Sequence, residues 1–189
     1  MATQSVMLEL GTLAPPFALP DPSGGLHKLE DYSAAPALVV AFICNHCPYV
    51  VHLADAFSAF AREYQPKGLA VVAISGNDVT AYPQDAPDKM AMFAKAHGFT
   101  FPYLYDESQN IARAYQAVCT PDLYLFDANR RLAYHGQFDA TRPGRGTPTG
   151  ADLRAAADAV LAGEPPLAAQ TPSVGCSIKW KPGKAPAWA

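Results

Sequence analysis

Apolar residues along the chain fall into two kinds of run. Residues 37–43 (ALVVAFI) and Leu69–Ser75 (LAVVAIS) are almost unbroken, as expected of strands covered on both faces in a parallel sheet. Between them Val50, Leu53, Ala54, Phe57, Phe60, Ala61 and Tyr64 recur at three and four residues, the spacing of one helix face. Pro66-Lys67-Gly68 stops that helix. Strand, helix and strand at these lengths predict a βαβ unit.

The flanks are shorter and more punctuated. FALPDPSGGLHKLEDY holds Pro20, Pro22, Gly24 and Gly25 between two apolar ends, which predicts an N-terminal hairpin. Residues 76–86 read as a loop, Asp85-Ala86-Pro87-Asp88 as the start of a helix, and Gly98 as its stop. A short strand over Tyr103–Tyr105 and a short helix over 109–115 follow. Residues 123–126 and 131–135 alternate around the turn Asp127-Ala128-Asn129. A last amphipathic helix covers 150–162 and ends at Gly163. Residues 164–189 have no period and many prolines, so they read as a tail, loose or packed on a domain made by residues 1–163.

At 189 residues the chain is long enough for one domain with a real core. Half of it is apolar, 16% is charged and the net charge is −3. That balance speaks against a nucleic-acid partner, which needs a basic surface. No stretch approaches a membrane span of about 20 apolar residues, and MATQSVMLELGTLAPPF shows neither the basic start nor the apolar run of a secretory signal. The expected setting is the cytosol, where a CxxC is more often catalytic or metal-binding than a structural disulfide.

That CxxC is Cys44-Asn45-His46-Cys47, followed by Pro48, at the turn from the first strand into the helix. Cys44 is expected at the helix start and Cys47 one turn on, with both sulfurs on one side. Unpaired amides and the helix dipole favour negative charge there and lower a thiol below its usual value of about 8.5. His46 would add positive charge beside Cys44, and Pro48 suits a first turn because its missing N–H costs little there. Three readings stand: a zinc or copper site through Cys44, His46 and Cys47, with Cys119 and Cys176 as further ligands; two inert core thiols; and a cycling dithiol. The isolation of Cys119 and Cys176 counts against paired zinc knuckles. The cycling dithiol is the favoured reading, with no cofactor beyond its own disulfide.

With the cysteines so placed, the order of elements resembles the thioredoxin fold over about residues 10–163: an α/β fold with a central mixed sheet flanked by helices, here with an N-terminal hairpin extension and a C-terminal tail. In that fold a cis-proline faces the CxxC, and the resemblance assigns that place to Pro121, preceded by Thr120. Ile43, Asn45 and His46 stand where thioredoxin has tryptophan and Gly-Pro. A histidine before the second cysteine is instead similar to disulfide oxidases and isomerases. Leu38 occupies the position of thioredoxin's buried aspartate, so the second thiol's proton would need another acceptor. Against peroxiredoxins, Cys47 falls on the peroxide-attacking position, Cys44 replaces its threonine and Pro121 stands where an arginine is expected. The whole chain most resembles a peroxiredoxin-like family of CxxC proteins within the alkyl hydroperoxide reductase and thiol-specific antioxidant superfamily. Asp139-Ala140-Thr141-Arg142-Pro143 and the Gly175–Lys181 segment GCSIKWK carry that likeness.

Other candidates are Cys176, as a third redox or resolving cysteine or as part of an apolar strip anchored by Trp180, and Cys119, near the dithiol or core filler. Arg142 and Arg145 read as an anion-holding loop or as solvated. His52, His97 and His135 lack ligand spacing and read as structural or solvent-facing. The expected activity is thiol:disulfide exchange in which Cys44 attacks and Cys47 resolves, with thiol peroxidase chemistry at Cys47 as the alternative. The partners implied are a disulfide- or peroxide-containing substrate and a thiol reductant such as a thioredoxin-type system.

Overall fold

The computed structural model describes residues 2–188. The chain opens with β1 (Ala2–Gln4) and the hairpin β2 (Ala18–Pro20) and β3 (Leu26–Lys28). The expected βαβ unit follows as β4 (Ala37–Phe42), α1 (Pro48–Tyr64) and β5 (Leu69–Ser75). Next come α2 (Pro87–Ala96), β6 (Tyr103–Tyr105), α3 (Asn110–Ala114), β7 (Cys119–Thr120), β8 (Asp122–Phe126) and β9 (Leu132–Gly136). α4 (Ala151–Leu161) and β10 (Val174–Ser177) complete the fold.

Five strands form a mixed sheet in the order β6-β5-β4-β8-β9. β4 lies parallel to β5 and antiparallel to β8. Its six residues are all buried, because both sheet faces are covered. Ala37, Val39 and Ala41 meet Leu53, Phe57 and Phe60 of α1 and Leu153 and Ala156 of α4 in one core cluster. Leu38, Val40 and Phe42 meet Tyr115, Tyr124 and Ile178 in a second, on the opposite face. This is the α/β arrangement with helices on both sides that the resemblance implies. Helix α1 passes through a short 3-10 turn into Gly68 at φ 100°, a left-handed position that favours glycine.

The tail departs from the aperiodic reading. Its strand β10 pairs antiparallel with β7 on one side and β1 on the other, making a separate three-stranded sheet β1-β10-β7. Four residues of sequence VGCS carry no alternation to read, since their burial comes from neighbours remote in the chain. Register places Cys176 opposite Thr120. Gly175 is required there: an added Cβ would stand 2.0 Å from the Thr120 carbonyl oxygen, a backbone atom that cannot step aside. Gly175→Ala is expected to cost about 1–3 kcal/mol, the range for overpacking a filled site, and a denaturant melt of the reduced protein would read it as a lower midpoint.

Candidate functional site: a buried dithiol at a helix N-cap

Helix α1 begins later than the sequence reading placed it. Proline at Pro48 disfavours helical geometry in the residue before it, and Cys47 is accordingly extended, at φ −70° and ψ 121°. Cys47 is therefore the N-cap and Pro48 the first helical residue, so Cys44 precedes the helix. The helix starts at Cys47, whose backbone carbonyl accepts from the Val50 and Val51 N–H groups, and the expectation that it starts at Cys44 is corrected. Both cysteines are almost sealed, Cys44 1% and Cys47 0% exposed.

Thr120 faces the pair. The Cys44 Sγ lies 3.4 Å from Thr120 Oγ1, and as a thiol Cys47 donates to the Thr120 carbonyl at 3.1 Å. The Thr120–Pro121 peptide is cis, as the resemblance implied. The neighbouring Cys44 thiol is the main group that lowers the Cys47 pKa, to about 5, and the Cys176 thiol and nearby backbone N–H groups add to it more weakly, against the effect of burial. The Cys44–Cys47 hydrogen bond, together with burial and the nearby Asp85 charge, pushes the Cys44 thiol well up. Burial and the Thr120 carbonyl oppose negative charge on Cys47, and the neighbouring donors outweigh them. The charge of the reduced pair belongs on Cys47. Thiolate absorbance of the reduced protein is thus expected to rise with a midpoint near pH 5, well below that of a free thiol, and Cys44→Ala, which removes the leading donor, should move the midpoint upward.

Asp85 is the site residue that the sequence reading missed. Read as a helix start, it stands instead in a short 3-10 turn before α2 and is fully buried. Its carboxylate accepts from the Asn45 backbone N–H at 2.9 Å and from Asn77 Nδ2 at 2.8 Å, and lies 2.6 Å from His46 Nδ1. The His46 ring stacks on Tyr82 at 5.5 Å. So His46 brings a carboxylate with it, and not the isolated positive charge expected beside Cys44. The only signal available was position: Asp85 and Asn77 follow the C-terminal end of β5, level with the end of β4 that carries the cysteines. Ligand atoms of Cys44, His46 and Asp85 lie within 4.8 Å of one another. The expected metal trio had Cys47 in place of Asp85, and both Asp85 oxygens are already engaged by the protein's own donors.

The remaining candidates separate. Cys176, half-buried on β10, reaches Cys47. Cys119 is fully buried beside Ser5, its thiol pushed up mainly by burial. Arg142 is occupied within its loop, donating to the Asp139 and Thr141 carbonyls and to Gln137 Oε1. Asp139 accepts from Thr149 and Gly150 at the start of α4, so this motif folds the loop. His52 lies 3.0 Å from Thr141 Oγ1 and shares with Tyr49, Pro121, Arg142 and Val174 a shallow crevice beside the dithiol. His135 is buried against Asp122, and His97 meets Asp55 at the surface.

The family model for the AhpC/TSA family matches residues 10–135, two-thirds of the sequence. The chain belongs to the AhpC/TSA family. Among solved structures, this AhpC/TSA chain is similar to a hypothetical protein of Sinorhizobium meliloti 1021, with TM-score 0.94 and 53% identity over 96% of this chain and 100% of that one. It is 31% identical over 122 residues to a Mycobacterium tuberculosis protein provisionally named a peroxiredoxin, covering 65% of this chain and 73% of that protein. It is 26% identical over 130 residues to the thiol-disulfide oxidoreductase ResA of Geobacillus thermodenitrificans, covering 69% and 70%. In this family a paired CxxC at a helix N-cap is a redox centre of the thiol-disulfide and peroxiredoxin type, and the chain is an enzyme of that class. No helix among the described residues is long and apolar enough to cross a membrane.

Proposed function

We propose that the protein is a thiol:disulfide oxidoreductase working through Cys44 and Cys47, with Cys47 as the attacking thiolate. The observation that carries this reading is the placement of Cys47 at the N-cap of α1 beside the Cys44 thiol. Cys47 attacks a substrate disulfide and forms a mixed disulfide, and the released thiolate takes up a proton. Cys44 then gives up its proton and attacks Cys47 Sγ, releasing the second substrate thiol and leaving Cys44–Cys47 oxidised. The His46–Asp85 pair is within 4.8 Å of Cys44 Sγ and takes that proton, the part that Leu38 cannot play. Asn45 fixes the loop to Asp85 and Gln84, Pro48 sets the cap, and Thr120 with Pro121 forms the wall against which substrate is held. A thiol reductant of the thioredoxin type would restore the dithiol, and a cytosolic setting belongs to the same proposal.

A second reading, thiol peroxidase, is favoured by the same N-cap thiolate. Cys47 would take the terminal peroxide oxygen as sulfenic acid, releasing water or an alcohol, and Cys44 would condense with it to the disulfide with loss of water. Peroxide consumption by the reduced protein, with mass mapping of oxidised cysteines, separates the two. A rate like that of a free thiol with rapid exchange against a model disulfide supports the oxidoreductase. A rate orders of magnitude higher, with sulfenic acid first on Cys47, makes it a peroxidase. Failure to form Cys44–Cys47 under either oxidant would sink both.

A further inference from the structure

The dithiol has no open route to a protein partner. In addition to the near-complete burial of both sulfurs, the edge of β7 that leads to the cis-proline is already paired. β10 lies along it, with Cys176 opposite Thr120 and Ser177 opposite Cys119, and β1 covers the outer edge of β10. An extended peptide could add to that edge of β7 only by displacing the chain's own tail. The strand that fills this place carries a cysteine, Cys176, which pairs opposite Thr120, the residue whose carbonyl accepts from the Cys47 thiol at 3.1 Å. Cys176 also packs against the core cluster that holds Cys44 and Cys47. Gly175 lets the strand approach this closely, since a side chain would collide with the Thr120 carbonyl. Behind it Ile178 is buried in the second core cluster and Trp180 packs against that cluster, while Lys179 N–H donates to Asn77 Oδ1 and Lys181 N–H to Gln109 Oε1. The tail is therefore fastened over the site, and Cys176 is the one sulfur of the trio that is more than marginally exposed.

We propose that Cys176 is the exit sulfur of a three-cysteine relay, in which the disulfide formed at Cys44–Cys47 passes to Cys47–Cys176 and is reduced there by an outside thiol. This rests on the dithiol reading and adds where the electrons enter. The steps balance. The Cys176 thiolate attacks Cys47 Sγ of the Cys44–Cys47 disulfide and expels Cys44, which takes the proton Cys176 gave up; no net oxidation occurs. A reductant thiol then attacks Cys176 Sγ, expelling Cys47 as the thiolate that its donors stabilise. A second reductant thiol, intramolecular in a dithiol or a further molecule of a monothiol, releases Cys176 and leaves as a disulfide. Cys47 is the hub because it alone neighbours both partners. The relay also fixes the class of reductant. It is one that presents a thiol to a half-buried surface sulfur, without laying a strand along the cis-proline.

Two variants of the full chain test this. After oxidation with a diazene thiol oxidant, Cys44→Ser is expected to yield an intramolecular Cys47–Cys176 link in most molecules by peptide mass mapping. Oxidised Cys176→Ser is expected to form Cys44–Cys47 as fully as the unmodified protein, yet to be reduced at least tenfold more slowly by 2-mercaptoethanol. A Cys44→Ser protein that gives only Cys47–Cys119 or intermolecular links overturns the relay. So does an unchanged reduction rate in Cys176→Ser. If Cys44–Cys47 itself fails to form in the unmodified protein, the dithiol reading falls first, and that result is visible separately.

Discussion

Cys47→Ser is expected to reduce disulfide exchange, and any peroxide turnover, by at least about a thousandfold, the scale of removing a nucleophile that works as part of a unit. Serine keeps the size of the side chain and leaves the cap geometry set by Pro48 intact, so the fold should survive. What disappears is the ionisable group. A serine hydroxyl does not ionise near neutral pH, and the donors now gathered on Cys47 would face a neutral oxygen. Cys44 then remains with its pKa raised by burial and by Asp85, a poor attacker. Cys44→Ser should behave differently, still attacking through Cys47, with Cys176 left to resolve the mixed disulfide. Exchange rates of the two variants against a chromogenic disulfide would compare them directly. Near-normal rates in Cys47→Ser, with mixed disulfides on Cys44, would return the attack to the first cysteine of the motif.

Asp122→Ala is expected to lower stability by about 3–5 kcal/mol, since it leaves three buried donors without an acceptor, each at a cost of about 1–3 kcal/mol. Asp122 and His135 are both fully buried. Asp122 Oδ1 accepts from Ser5 Oγ at 2.6 Å and pairs with His135 Nε2 at 2.9 Å, and Oδ2 accepts from Tyr124 at 3.1 Å. Leu8 N–H donates to His135 Nδ1 at 3.2 Å, which places the ring proton on Nε2, facing Asp122. Alanine would leave three buried donors without an acceptor and loosen the N-terminal segment that Ser5 and Leu8 attach. Thermal melts of reduced protein would show a large drop in midpoint, and a change under about 1 kcal/mol would mean that water replaces the carboxylate, which buried sites admit only where there is room.

The sheet and α1 were legible because their signals are local and strong. Two unbroken apolar runs and a helical stripe sit at βαβ spacing, and burial on both faces of β4 needs nothing else to explain it. The dithiol was legible because CxxC names its own chemistry. Misreading began where a residue's role depends on chain far away. Asp85 sits among residues that are ordinary at a helix start, and only the fold shows its side chain turned back to Asn45, His46 and Asn77. Pro48 was read for what it lacks, an N–H, while its effect on the preceding residue decided which cysteine caps the helix. Strand β10 is too short for any period, and its partners, β1 and β7, lie far from it and from each other in the sequence. Ser5, Asp122 and His135 are more than a hundred residues apart at the extremes, and no spacing rule joins them.

Because β1 pairs with β10 residue by residue, Ala2 stands opposite Cys176. An affinity tag fused before residue 2 would therefore leave the molecule alongside the sulfur through which we expect electrons to pass. Preparations tagged at that end and tag-free preparations are then not interchangeable for kinetic work. A cleavable N-terminal tag, assayed before and after removal, doubles as a probe of how closely this edge is screened.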